Sequence, residues 1–482
     1  MIAGLWEDLN LSTSERADAG VFVVTSPGKI IFRWQGVPCA FDGAQCTGGA
    51  NVNFEIELNS NGVIKSRYGA ADPDLVPTVG IGGGEQDGYV VASHTSLDEQ
   101  TAKNLTNAAE VTYTPRAASV STIQLESAAI NVNESNGFVN INATRTGDLG
   151  GFSSVNYTTS DTAGLTNCTV ANGKASERCD YETTAGTLRF ATGESTKTIT
   201  IPIVNDLLVE GNETFTLTLS GVNGATLGTS ASTVTILDND NTPANQNPID
   251  SIPFFVTQQY IDFLGRLPDA TGFQNWVDTL QGCPNSGFGE FDNPGCDRVH
   301  VSSGFFLSIE FQGRGYFAYR FYEVAVDRRP TYAEFVPDMA LVGGPQSPES
   351  EVLSKATYTE AWTQRPEFKT RYDALSNSAY VNALEANAEV AVANKVALIA
   401  ALDNAQMTRG EVLRNIVESQ AVADKFFNRA FVSMQYFGYL RRDPDSIGFQ
   451  NWVDTLNADP SNFRHMIFGF LFSTEYRQRF GP

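Results

Sequence analysis

The sequence predicts a multidomain chain in which two antiparallel β-sandwiches precede an α-helical region with an internal duplication. Three observations carry this reading. The chain has 482 residues, more than one ordinary hydrophobic core spans, so several domains are expected. Short runs that alternate apolar and polar residues, separated by Gly and Asn turns, recur up to about residue 241 and then give way to three- and four-residue apolar spacing. The segment GFQNWVDTL occurs at 272–280 and again at 448–456.

Composition narrows the class. With 55 Asp+Glu against 32 Lys+Arg, the formal charge is −23, which argues against a nucleic-acid partner because phosphate binding needs a basic footprint. No apolar run approaches the roughly 20 residues of a membrane-spanning helix. The opening MIAGLWEDLN shows neither a basic nor an apolar leader segment, so a signal is expected to have been removed or left off if the chain is exported. The six cysteines fall into three local pairs, Cys39/Cys46, Cys168/Cys179 and Cys283/Cys296. Each pair closes a short loop, and none shows C-x-x-C spacing or a nearby His that would suit zinc. Disulfides, and with them an extracellular or cell-surface location, are expected.

Residues 1–116 read as the first sandwich. KIIFRW (29–34) and NFEIEL (53–58) are short strands, and NSNG (59–62) supplies a hairpin turn before VIKSRY. The glycine-rich VGIGGGEQDGY (79–89) lacks the spacing of a phosphate cradle. Through FEIELNSNGVIKSRY and TVGIGGG the region resembles nidogen-like β-sandwich domains of secreted proteins, which implies a binding or spacer role without chemistry.

Residues 117–241 read as the second sandwich, from GFVNINATR, KTITIPIV, ETFTLTLSG and STVTILDND. The order VNES, VNYTTSDTA, CDYETTAGTLRFATGESTKTITIPIVNDLLVEGNETFTLTLSG, ATLG, STVTILDND resembles the Calx-beta domain over this whole region. The resemblance implies a Ca2+ site built from loops at one end of the sandwich, with Glu134, Asp161, Asp206, Glu210, Glu213, Asp238 and Asp240 as ligands. Asp180, at the family's DY position, stands outside this set. Calcium favours six to eight hard oxygens. Where the calcium-sensing exchanger members have runs of three aspartates, this chain has NDL (205–207) and DND (238–240), which implies one or two ions bound more weakly. The competing reading is that these acids are turn formers and solvated charges.

A linker, 242–253, precedes the helical region, 254–482. Extended leftwards, the repeat aligns 256–280 with 432–456 without a gap, at 16 of 25 positions. Downstream, FFLSIEF (305–311) answers FLFSTEY (470–476), and the first copy carries an insertion that holds Cys283 and Cys296. A partial third copy stands at 321–335, and MTRGEVLRNIVES (407–419) has the form of a second half. The pattern resembles the secreted bacterial domain of unknown function 4214 over roughly 254–335 and 406–480, which implies an extracellular protein and no known reaction.

Physically the motif is a helical hairpin. Pro268 and Pro444 are expected to interrupt its first helix, and Asp269 and Asp445 to cap the second. Phe273, Trp276, Val277 and Leu280 form one apolar face, with the Trp in the core. The alternative for 443–454 is an EF-hand-like loop, with Asp443, Asp445 and Asp454 at ligand positions but Ile447 where a ligand belongs. Catalytic signatures are sparse. His94, His300 and His465 are isolated, and no G-x-S-x-G, H-E-x-x-H or P-loop occurs. The expectation is a non-enzymatic extracellular protein, stabilised by calcium, that self-assembles into a filament, surface array or matrix as a homo-oligomer or homopolymer. The alternative is a cell-surface adhesin that binds carbohydrate or another surface. A secreted hydrolase, with two carboxylates from distant loops, is the third class.

Overall fold

The computed structural model describes residues 2–6, 9–11, 17–41, 46–48, 52–69, 78–82, 89–93, 110–114, 120–160, 163, 168, 172–240, 246–284, 292–343 and 348–481. The first region is antiparallel β throughout its described strands. Its central strand, Lys29–Phe41, pairs with Gly20–Ser26 and with Val52–Asn59. Val52–Asn59 then forms the expected hairpin with Ile64–Tyr68, where Gly62 adopts φ 82°. That left-handed turn needs glycine. Alternation buries Phe54, Ile56 and Tyr68 on one face, and Trp34 stacks on Phe54 at 4.9 Å.

The second region packs a four-stranded sheet on a five-stranded one, with Ile123, Ile141, Val155, Phe190, Ile201, Leu217 and Val234 between them. It is not purely antiparallel. Ala129–Asn133 runs parallel to Ala231–Leu237, and Ser121–Leu125 runs parallel to Thr226–Leu227. The bend at 126–128 lets one chain direction serve both sheets, so the first strand meets a different partner in each. The Cys168–Cys179 disulfide forms here and Cys283–Cys296 in the helical region. The side chains of Cys39 and Cys46, like Asp161 and His94, lie outside the described residues.

The helical region holds four units of one pattern, where the sequence suggested a duplication with fragments. Unit one comprises α1 (Ile252–Leu264), α2 (Ala270–Gln281), α3 (Arg298–Phe306) and α4 (Ile309–Gly313). Unit two comprises α5 (Gly315–Val326), α6 (Tyr332–Gly343), α7 (Pro348–Thr363) and α8 (Pro366–Tyr372). Unit three has α9 (Asn377–Ala388), α10 (Lys395–Asp403) and α11 (Arg409–Val417), and its last helix is the start of α12 (Gln420–Met434). Unit four uses the rest of α12, which runs on as a π-helix over Gln435–Leu440, then α13 (Ser446–Ala458), α14 (Phe463–Leu471) and α15 (Thr474–Arg477).

In every unit the first helix ends on a left-handed residue: Gly265, Asp327, Glu389 and Arg441, at φ 63°, 54°, 53° and 52°. That cap ends the helix, so α1 stops four residues before Pro268 and the π-helix four residues before Pro444. The prolines follow the break and do not cause it. Three units then share a polar trio. Arg266 lies over the Tyr260 ring and binds Glu310 at 2.7 Å. Arg328 lies over Tyr322 and binds Glu367 at 2.9 Å, and Arg442 lies over Tyr436 and binds Glu475 at 2.7 Å. In unit three the corresponding positions are Leu384, Val390 and Ala421. All three members of the trio are absent there, which makes the unit hard to see in sequence.

Trp276 and Trp452 are half-buried against the core and not fully enclosed as expected. Each is one position from a buried Val, Val277 or Val453, and one position on a helix is a rotation of about 100°. The EF-hand-like loop does not form. Asp445 caps α13 through Gly448 N–H at 2.7 Å, Asp443 accepts Tyr332 N–H at 2.7 Å, and Asp454 accepts from Gln450 at 2.9 Å.

Candidate metal centre

Four segments at one end of the second sandwich deliver carboxylates. Glu134 opens a single 3-10 turn, Glu134–Asn136, closed by Gly137 at φ 71°. Asp180 ends the turn 176–180 and accepts Ser176 N–H at 2.5 Å. The loop between strands Thr196–Pro202 and Glu213–Asn223 supplies Asp206 and Glu210, and Glu213 begins the second of these strands. Asp238 and Asp240 follow strand Ala231–Leu237.

These side chains gather into two groups. Glu134, Asp238 and Asp240 each place an oxygen within 4.8 Å of the others, and so do Asp180, Glu210 and Glu213. Glu134, Asp180, Glu210, Glu213 and Asp238 line one shared cleft with Val204 and Ile236. Backbone N–H groups fix the arrangement. Asp238 Oδ2 accepts from Glu210 and Gly211 at 2.9 and 2.6 Å, and its Oδ1 accepts from Asp240 at 2.7 Å. Glu134 Oε1 accepts Asp206 N–H at 2.7 Å.

Of the residues expected from sequence, Glu134, Glu210, Glu213, Asp238 and Asp240 fall in these groups and Asp161 lies outside the described residues. Asp206 is buried beside them, but its carboxylate turns to its own loop and accepts Leu208 N–H at 2.7 Å. Asp180, set apart in the sequence reading, belongs to the second group. Its signal was the acidic residue beside Tyr181, whose ring stacks on Phe215 at 4.0 Å and anchors the turn.

The electrostatics are those of like charges brought together. Burial, then Asp240 and Asp238, push the Glu134 carboxyl up to about 7. Burial, then Asp180 and Glu213, push Glu210 up to about 9, and burial, then Asp180, pushes Glu213 up to about 8. Asp206 is held well above the usual carboxylate range by burial and by Glu134 and Glu210. Asp240 is raised by burial and by Asp238. The charged side chains that act most strongly on these five groups are other carboxylates. An all-oxygen, all-anionic donor set suits a hard divalent cation. Such an ion would need the carboxylates ionised, and would replace their mutual repulsion with attraction.

Sequence reasoning missed a second ionic cluster, between the sandwich and the helices. Glu182 meets Arg441 at 2.6 Å, and Asp262 receives Arg441 at 3.0 Å and Arg479 at 3.1 Å.

Comparisons with known proteins follow this geometry. Residues 117–240 match the Calx-beta domain, and residues 420–480, which are the last helix of unit three and unit four, match the domain of unknown function DUF4214. The first copy of the nine-residue repeat lies outside that second match. No curated protein matches the chain. Among solved structures, the apo-form Calx CBD1 domain is 28% identical over 25% of this chain and 99% of its own, with a TM-score of 0.22. The calcium binding domain CBD12 of CALX1.1 is 27% identical over 25% of this chain and 46% of its own, with a TM-score of 0.22. The family matches are therefore regional: the second β-sandwich matches Calx-beta, and the last helix of unit three together with unit four matches DUF4214.

Proposed function

We propose that the chain is an extracellular, calcium-stabilised structural protein whose ion site is the acidic end of the second sandwich. The observation that carries this is the convergence of Glu134, Asp180, Glu210, Glu213, Asp238 and Asp240 from separate segments, with neighbouring carboxylates raising Glu134, Glu210, Glu213 and Asp240. Solvated turn acids would point apart. Glu134, Asp180 and Glu213 are instead buried, a cost that a bound cation offsets. Glu134, Asp238 and Asp240 would hold one ion, and Asp180, Glu210 and Glu213 a second. Two disulfides support an oxidising compartment. Among the described residues no helix is long and apolar enough to cross a membrane.

Isothermal titration of chelator-treated protein with calcium tests the reading. Saturable binding that is lost in Asp238→Asn with Glu213→Gln is expected. An absence of binding heat, together with an unchanged melting temperature in calcium and in chelator, would overturn it.

Self-assembly is the part of this reading that one feature of the first region supports. Strand Gly20–Ser26 pairs with Lys29–Phe41 on one edge, and has no strand on its other edge among the described residues. Val21, Phe22, Val23 and Val24 on it are all about half exposed. An apolar edge strand is a template for strand addition, and a second copy of the chain is the occupant that would produce an array. Sedimentation velocity should show association that Val23→Lys abolishes. A monomer at high concentration in calcium would reject it.

A further inference from the structure

We propose that the second sandwich and the helical region form one obligate unit, because the last helical unit carries a two-arginine socket that only a carboxylate from the sandwich completes. Among the described residues of the helical region, Arg441 and Arg479 face a single acid, Asp262. All three are buried, at 2%, 1% and 3% exposure. The remaining polar atoms around Asp262 are neutral: Tyr476 Oη donates at 2.8 Å and Gln258 Nε2 at 2.7 Å. Two guanidinium groups and one carboxylate leave one buried positive charge. Glu182 of the sandwich, 1% exposed, supplies the missing negative charge at 2.6 Å from Arg441.

The surroundings show a built receptor. The Glu182 backbone is fixed by its N–H on Pro202 O at 3.0 Å. Arg479 Nε donates to Arg178 O of the sandwich at 3.0 Å, and its Nη1 donates to Tyr439 O at 3.0 Å and Gly438 O at 3.2 Å. Leu207 N–H donates to Phe480 O at 3.0 Å, and Val204 of the sandwich is part of the helical core cluster. Arg178 adds an outer contact to Glu475 at 3.1 Å.

Comparison of the four units shows the specialisation. The position of Arg441 is Gly265, Asp327 and Glu389 in the other units. A long side chain on a left-handed residue is retained where the surroundings over-determine it, and here that conformation aims the guanidinium at the sandwich. Because a buried charge without its partner is strongly unfavourable, the docked arrangement is the one in which both regions are stable.

Hydrogen exchange of the full chain in mild denaturant tests this, with calorimetry beside it. In the unaltered chain the strands of 120–240 and the helices of 246–481 should open together, with one shared transition. Glu182→Gln removes the charge at constant shape and should split that transition, with the helices opening first. Arg441→Met added to Glu182→Gln should lower the melting temperature by less than the two single shifts combined. Independent opening of the two regions in the unaltered chain overturns the proposal, whether or not a variant folds. So does a Glu182→Gln protein that keeps one unshifted transition, or a double variant whose shifts simply add.

Discussion

The two buried charge clusters of this molecule invite comparison. At the end of the sandwich six carboxylates meet one another, and at the sandwich–helix boundary two carboxylates meet two arginines. They belong to neighbouring stretches of chain, since Asp180 serves the first and Glu182 the second. The first arrangement is unbalanced, and in the function proposed above a cation from solution balances it. The second is balanced within the chain and calls for none. Burial alone therefore does not mark a ligand site; the sign count does.

The largest expected effect breaks the balanced cluster. Arg441→Ala leaves Glu182 and Asp262 buried against only Arg479, and should cost about 3–5 kcal/mol, read as a lowered denaturation midpoint with and without calcium. Removing calcium tests the unbalanced cluster. A ligand that binds only the folded state adds about 2.7 kcal/mol at a hundredfold excess over Kd, so chelator should lower the melting temperature by that equivalent, and Asp238→Asn with Glu213→Gln should abolish the difference.

Proton linkage sharpens the contrast further. Glu134, Glu213 and Glu210 are pushed up to about 7, 8 and 9, so between roughly pH 4.5 and 9 the folded state holds protons that the unfolded chain has released. Stability in chelator should fall as pH rises through that window. The increment from calcium should grow over the same range, because the ion needs ionised ligands. A calcium increment that shrinks from pH 6 to 9 would contradict the ion site. The smallest effect is the control. Asp445 is an ordinary helix cap, so Asp445→Ala should cost about 1 kcal/mol, equally in calcium and in chelator.

How much of this was legible in sequence follows from the range of the interactions. Alternation and helical spacing are local, so the change from strand to helix near residue 250 was readable, as were the hairpin at 59–62 and the caps at Asp269 and Asp445. The acidic end was readable because its members lie in turns with family-like spacing. That Asp180 joins Glu210 and Glu213 was not legible, because its place depends on Tyr181 stacking on Phe215, a contact between separate segments. The third helical unit was hidden because it has Leu384, Val390 and Ala421 at the trio positions, residues that suit a helix but carry no polar signature. The Glu182 socket was invisible. It joins residues 182, 262, 441 and 479, and nothing local to any of them states the pairing.

The insertion between α2 and α3 has a practical consequence. Cys283 and Cys296 hold its two ends at a Cα separation of 5.5 Å, at the exit of one helix and the approach to the next. Because the covalent clamp fixes the entry and exit of the chain, the length of what lies between them has little leverage on the packing outside, and lengthening a closed loop carries only a slowly growing entropic cost. This is the position at which a tag or a fluorescent reporter can be spliced into the chain while the four helical units stay in register.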